Sequence, residues 1–295
     1  PGKTGPVSLG KAKFDNKNIY IADFAVHYQV YSEKSATKKG GSGIFGAVMG
    51  AAKASLAVGL DISEATLQHI TNDAYAQFIA DLKAKGFNVM KADEAKNTEF
   101  YKDYQYSTNL KMSPYHKEEG TLTVHPQNVG FFYKEKGATE NTTKLSKELQ
   151  DAAVVRVELY VEFVKASGSS KSGIGANVVA KTNLVLSEDN TIAHFIVGRN
   201  KIGGSPLAEY QGVLKKDLDV DGVIKEEKIT NYVASDYDNW GTKTAFGTLY
   251  SAKNKATAKA AIVPADADKY KTGVEQAIDV FLKHHLNEFQ SKYYR

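Results

Sequence analysis

The sequence predicts an α+β fold: a mixed, largely antiparallel sheet flanked by a helix near residues 63–85 and by a long C-terminal helix. Residues Asn18–Ser32 carry apolar side chains at both alternating sets of positions, which is typical of a central strand covered on both faces. Residues Ala153–Val164 alternate apolar and polar side chains, which is typical of a strand with one buried face. Residues 63–85 and Ala265–Tyr294 each repeat apolar residues every three or four positions, as one face of a helix does.

Residues beside the two helical segments indicate where each helix begins or ends. Asp61 or Ser63 can cap the first helix, because a short side-chain oxygen accepts the free amide protons there. Gly86 can end it, because glycine enters the left-handed region without steric penalty. Pro264 precedes the last helix, where its missing amide proton leaves no hydrogen bond unmade. Residues Phe87–Met90 then predict a short strand, which completes a strand–helix–strand unit.

The other segments predict shorter elements. Residues 1–17 are polar and rich in glycine and lysine, so we expect a flexible lead-in to one α+β domain over residues 18–295. The chain then predicts short strands at Thr121–Val124 and Gly130–Tyr133 and a helix at Thr142–Gln150.

Past residue 150 the pattern predicts a meander of antiparallel strands. The strand at Ala153–Val164 is followed by a flexible turn at Ser167–Gly175. Residues Val178–Ser187 and Thr191–Gly198 then predict a hairpin that turns at Glu188–Asn190.

Residues 38–59 form a glycine-rich insertion, with Phe45 and Met49 as candidate binding residues. The small residues Gly46 and Gly50 would suit a membrane-active helix. We favour a glycine-rich loop, a short helix and a strand at 54–60, because Lys53 interrupts a span already shorter than the roughly 20 apolar residues of a membrane helix.

Composition excludes several classes of function. The chain has 295 residues, 42% of them hydrophobic, and a net charge of +4, which is ordinary for a globular protein. Arginine, the residue best suited to phosphate and base recognition, supplies three of the 38 basic residues, so we expect no nucleic-acid partner. Without cysteine there are no disulfides, thiolate metal sites or lipid-bearing cysteine. Abundant tyrosine favours an extracytoplasmic protein, and a chain that begins at Pro1 fits either a processed N-terminus or a cloning scar. We therefore expect a periplasmic or secreted chain whose signal peptide has been removed.

Asp217, Asp219 and Asp221, followed by Gly222, form the most specific short motif. Carboxylates at alternate positions before a glycine resemble the start of a calcium-binding loop. Position twelve of such a loop is Lys228 here instead of glutamate. Calcium is therefore the one candidate cofactor, and a tight turn with solvated aspartates is the alternative.

No catalytic motif is visible in the sequence. It has no His-Glu-x-x-His and no Gly-x-Ser-x-Gly segment. Adjacent residues on a helix point about 100° apart, so His284 and His285 are a poor metal pair. His27 lies in the first strand, where a hydrogen-bonded structural role is the commoner one.

Aromatic residues supply the remaining candidates for binding. Residues 91–140 contain Tyr101 and Tyr104, together with Tyr115, His116 and His125, which could line a cleft over the sheet. Trp240 lies in an acidic segment that would form either a binding loop or a surface turn with one anchoring indole.

The order of elements resembles that of a known family. A leading strand with Ile21-Ala22-Asp23-Phe24, a glycine-bearing loop, a long helix and then Leu82–Val89 is similar to the periplasmic domain of the curli-secretion lipoprotein (CsgG-like) group. That group shares an α/β sandwich like that of anticodon-binding domains. The lipid-anchor cysteine of the group is missing here. The resemblance implies a non-enzymatic envelope or secreted protein in which residues 38–59 are placed to form an interaction or assembly element.

Two hypotheses of function follow. The first is a non-catalytic extracytoplasmic protein that binds an envelope or extracellular protein, itself included. The second is a ligand-binding protein or hydrolase with its cleft over residues 91–140. The sequence favours the first, because it shows no catalytic site and has a glycine-rich insertion suited to assembly.

Overall fold

The computed structural model describes residues 2–10, 13–38, 52–110, 120–134, 142–169, 177–229 and 261–295. The candidate binding residues Phe45, Met49 and Trp240 lie outside these ranges. The elements, in chain order, are β1 (Gly2–Leu9), β2 (Asn18–Gln29), β3 (Tyr31–Lys38), β4 (Ala52–Asp61), α1 (Glu64–Ala84), β5 (Asn88–Val89), α2 (Ala92–Ala95), β6 (Gln105–Ser107), β7 (Thr121–Val124), β8 (Phe131–Tyr133), α3 (Thr142–Glu148), β9 (Ala153–Ser169), β10 (Asn177–Leu186), β11 (Ile192–Val197), β12 (Ala208–Leu214), β13 (Leu218–Asp219), β14 (Lys228–Ile229), β15 (Ala261–Pro264) and α4 (Ala267–Tyr293).

The main sheet is built around β9. Its strands run in the order β1, β12, β11, β9, β10 and β13, and β14 also pairs with β10. The other edge of β9 pairs with β2 in parallel, from Ile19 opposite Ala153 to Tyr28 opposite Val161. Most of the remaining pairs are antiparallel, so the predicted α+β fold with a mixed, largely antiparallel sheet is confirmed.

Helix α1 begins and ends where the sequence predicts. The Ser63 side chain accepts a hydrogen bond from the Thr66 amide at 3.1 Å, which caps the helix. Gly86 follows the helix with a φ of +82°, a conformation that favours glycine. The apolar residues of α1 are buried on one side of the helix, and Phe78 packs against Phe24 of β2.

Helix α4 lies beside α1 on the same face of the sheet. Asp266 caps its start by accepting bonds from the amides of Asp268 and Lys269. Phe289 stacks on Phe195 of β11 at a ring distance of 4.3 Å. A smaller cluster on the opposite face joins β2 and β9 to α2 and α3; it comprises Tyr20, Ala95, Tyr101, Leu145, Leu149, Ala152 and Val154.

The N-terminal segment is a strand instead of the flexible lead-in that the sequence predicts. Strand β1 pairs antiparallel with β12, from Gly2 opposite Leu214 to Leu9 opposite Glu209. An edge strand needs one partner for its backbone and no apolar alternation of its own. The polar composition of residues 1–17 therefore gave no signal of it.

The predicted hairpin between residues 178 and 198 is wrong, although both of its strands exist. β10 pairs with β9 from Val161 to Ser169, and β11 pairs with β9 from Ala153 to Glu158. In the described chain the two strands follow one another along a single edge of β9 and do not pair with each other. The predicted meander is therefore one broken strand beside β9, and β11 instead forms its antiparallel pair with β12.

None of the helices described by the structure combines the length and the apolar character needed to cross a membrane.

His285 of α4 is fully buried against β1 and β12. Its Nδ1 atom is hydrogen-bonded to the Tyr210 hydroxyl at 2.8 Å. A Cβ atom at Gly2 or Gly212 would lie 2.1 or 2.4 Å from the imidazole ring, so the ring fills the space that a side chain would need. Burial lowers the pKa of His285 to about 4, and the charge of His284 acts in the same direction.

We expect the substitution His285→Gln to flatten the acid limb of the stability profile. Because folding lowers the pKa of His285 from 6.5 to about 4, its contribution is complete above pH 6.5 and is lost as the pH falls through 4. That loss is on the order of 2–3 kcal/mol. Urea unfolding between pH 7 and pH 4 measures it, with His69→Gln on the exposed face of α1 as the control. An unchanged slope in the His285 variant would contradict the assignment.

Candidate functional site

A gap in strand pairing along β2 creates the candidate site. β5 pairs with Asn18 and Ile19, and β7 pairs with β2 from Val26 to Gln29. β9 occupies the other edge, so β5 and β7 share one edge of β2. Between them residues 20–25 have no strand partner on that edge in the described part of the chain.

Contacts from both sides keep this gap open. The Met90 amide donates to the Ile19 carbonyl at 2.8 Å, which places the chain after β5 on one side. On the other side, Gln68 donates to the His125 carbonyl at 2.9 Å, and Asn72 accepts from the Gln127 amide at 2.9 Å. Helix α1 thereby fixes the segment that follows β7.

The space between these two walls is a groove of about 390 Å³, which we call the β2-edge groove. It is formed by β2, one side of α1, the start of α2, Tyr106 of β6 and the segment before β8. Its lining residues are Tyr20, Ile21, Tyr75, Ile79, Lys83, Val89, Met90, Lys91, Ala92, Asp93, Tyr106, Asn128, Val129 and Gly130.

Tyr20 is the buried polar residue of the groove lining. The side chain is 1% exposed, and its hydroxyl makes no hydrogen bond of standard geometry with the described residues, although the Tyr101 hydroxyl lies close enough to interact with it. Burial raises the pKa of Tyr20, so at neutral pH the hydroxyl is protonated and can donate a hydrogen bond. A buried donor without an acceptor destabilises a protein by about 1–3 kcal/mol. The Tyr20 hydroxyl is therefore a group that a ligand could satisfy.

Charged and aromatic side chains lie at the mouth of the groove. Lys83, Lys91 and Asp93 are exposed, and no ion pair joins them to the described residues. Tyr106 is 43% exposed. A Cβ at Gly130 would lie 2.0 Å from the Tyr106 hydroxyl, so the lack of a side chain at Gly130 lets Tyr106 lie against the backbone.

The predicted binding residues Tyr101 and Tyr104 lie behind the groove and do not line it. Tyr101 is buried and stacks on Phe132 at a ring distance of 4.2 Å. Tyr104 packs edge-to-face on Tyr101 at 5.0 Å, and Lys134 lies over its ring. Tyr20, which lines the groove, packs against Tyr101. Tyr101 and Tyr104 therefore support this part of the groove wall from behind.

A charged network on β2, β7 and β9 lies next to the groove. One Asp23 oxygen is 3.4 Å from His125 Nε2, and the other accepts from Arg156 at 3.3 Å. Burial alone would raise the pKa of Asp23. The His125 hydrogen bond and the charges of His125 and Arg156 outweigh it and lower the pKa to about 2. Asp23 is therefore an anion that holds two neighbouring strands together.

His27 is fully engaged by its neighbours. Its Nδ1 atom is 2.9 Å from the Thr123 hydroxyl, and its Nε2 atom is 2.6 Å from a Glu158 carboxylate oxygen. The buried ring stacks on Tyr160 at 4.2 Å. Neither ring nitrogen is left to exchange a proton with a substrate, so His27 has the structural role expected of a sheet histidine.

The three aspartates of the predicted calcium loop are not brought together. Asp217 accepts bonds from Lys165 at 2.6 Å and from the Glu188 amide at 2.9 Å. Asp219 accepts from Asn183 at 2.9 Å. Within the described ranges no group of three or more histidine or acidic side chains is placed to hold a metal ion. The turn at Gly222, with a φ of +73°, agrees with the alternative of a tight turn.

Sequence reasoning missed the residues that line the groove. Tyr20 and Ile21 lie in a strand whose apolar residues all predict burial, and Tyr75 and Ile79 border the apolar stripe of α1. The groove exists because β5 and β7 pair with separate parts of β2, and a single sequence carries no signal for that.

Comparisons with protein-family models, with curated proteins and with solved structures find no match to this chain. The resemblance to the CsgG-like group therefore stays a prediction.

We expect Asp23→Asn to destabilise the protein at neutral pH and much less in acid. Because folding lowers the pKa of Asp23 from 3.8 to about 2, its contribution is present above pH 3.8 and is lost as the pH falls through 2. The loss at pH 7 is about 2 kcal/mol. Urea unfolding at pH 7 and pH 2.5 measures it, and Asp103→Asn at an exposed position is the control. Equal destabilisation at both values of pH would show that the charge of Asp23 is not the cause.

Proposed function

We propose that this chain is a non-catalytic binding protein that holds a small organic ligand in the β2-edge groove. The observation that carries the proposal is that Tyr20, whose buried hydroxyl makes no hydrogen bond of standard geometry with the described residues, lines a groove of about 390 Å³. Grooves that bind small molecules are commonly about 300–1,000 Å³, mostly apolar, and equipped with a few polar groups that orient the ligand. The volume of the β2-edge groove falls in this range and polar groups are present, while its lining is about equally polar and apolar.

The neighbouring charged groups favour binding over catalysis. Asp23 is held as an anion between His125 and Arg156. His27 has both ring nitrogens engaged, by Thr123 and by Glu158. A general acid or base needs a proton that it can exchange with the substrate. These groups are committed to one another, so their best-supported role is to fix the strands that form the groove.

The proposal develops the hypothesis of a cleft over residues 91–140. Three parts of that segment line the groove: residues 91–93, Tyr106 and residues 128–130. The other hypothesis, a protein partner or self-assembly through residues 38–59, stays a prediction because its candidate residues lie outside the described ranges. A periplasmic or secreted location likewise stays a prediction.

We expect Ile79→Trp to abolish ligand binding, because an indole at this half-buried position would fill the groove. The full chain, labelled with ¹⁵N, is titrated with neutral, cationic and anionic aromatic and aliphatic fragments. Chemical-shift changes should cluster at Tyr20, Ile21 and residues 89–93 and 128–130. Ala80→Trp is the matched control, because Ala80 is the next residue of α1 and is exposed.

Two results would contradict the proposal. One is a set of binding fragments whose shift changes cluster away from the groove. The other is unchanged binding in an Ile79→Trp variant that unfolds at the same temperature as the Ala80→Trp control.

A further inference from the structure

We infer that the β2-edge groove selects an organic anion with a flat apolar body, such as an aromatic carboxylate. This inference rests on the proposed function and adds the chemical class of the ligand. Three features of the lining carry it: an excess of positive charge at the mouth, an apolar wall and the buried Tyr20 donor.

The charges at the mouth favour an anion. Lys83 lies in the last turn of α1, and Lys91 immediately precedes α2. The groove lining holds these two lysines and one acid, Asp93, which leaves a net charge of +1. Neither lysine is paired with another described residue, so each can approach a ligand carboxylate without first breaking an ion pair. Hydrogen bonds between an ammonium and a carboxylate are about twice as strong as neutral ones.

The walls favour a flat, apolar body. Ile21, Ile79, Val89 and Val129 contribute aliphatic side chains from four different segments. Tyr75 adds a ring that is held edge-on against Phe24 at 5.3 Å. A planar ring system buries more apolar area against such walls than a compact polar molecule would, and it can stack on tyrosine.

The Tyr20 hydroxyl favours a ligand that carries an acceptor oxygen. Its donor is buried and makes no hydrogen bond of standard geometry with the residues that the structure describes. Tyr20→Phe removes a hydroxyl that makes no hydrogen bond of standard geometry with the described part of the chain. We therefore expect that variant to unfold at the same or a higher temperature and to bind the ligand less tightly. A purely structural Tyr20 would show the opposite pattern.

The test compares two probes of the same shape, 2-naphthoate and its neutral amide 2-naphthamide, by fluorescence titration of the full chain. We expect the acid to bind about tenfold more tightly than the amide at low salt, with a smaller difference at high salt. Lys83→Gln and Lys91→Gln should each weaken binding of the acid by about three- to tenfold and leave the amide unchanged. Lys96→Gln, an exposed lysine outside the groove lining, is the control. Tyr20→Phe should weaken both probes by about tenfold.

The outcomes separate this inference from the proposed function. Equal affinity for the acid and the amide would overturn the anion class, and binding of both in the groove would still support a ligand-binding protein. Unchanged affinity for the acid in the Lys83 and Lys91 variants would overturn the anion class in the same way. If neither probe binds at millimolar concentration, this inference fails, and the fragment titration with the Ile79→Trp variant alone decides the proposed function.

Discussion

Pairing along both edges of β9 is the constraint on which the rest of the structure depends. One edge pairs with β2, and the other pairs first with β11 and then with β10. The backbone groups of so long a strand must all find partners, since a buried amide or carbonyl without one is destabilising. Three chain segments are therefore brought to β9, and their order decides where every other element lies.

The alternation along β9 gives the sheet two different faces. Val155, Val157 and Leu159 face α1 and α4, and this face forms the larger apolar core. Arg156 and Glu158 point the other way, where they bind Asp23 and His27 of β2. Removing one partner of a buried ion pair destabilises a protein strongly, because the remaining charge is left buried without a partner. The network therefore holds β2 in register with β9 beside the groove.

The groove is a consequence of how β2 finds partners on its other edge. β5 and β7 come from distant parts of the chain and meet β2 at separate places, so the residues between them, including Tyr20, border open space. A site at a break in strand pairing combines backbone, helix and loop side chains that are far apart in sequence. This explains why Tyr20, Lys83 and Asn128 line one groove although no short motif contains them.

The sequence by itself determined those features that depend on local periodicity and capping. It predicted α1 with its Ser63 cap, the last helix after Pro264 and the two-faced pattern of β9, because burial of one face imposes a period of 3.6 or 2 on the residues. It did not identify β1, the pairing of β10 and β11 with one edge of β9, or the groove. Only the tertiary structure decided these, because strand order and the position of a gap depend on contacts between residues far apart in the chain, which leave no local pattern.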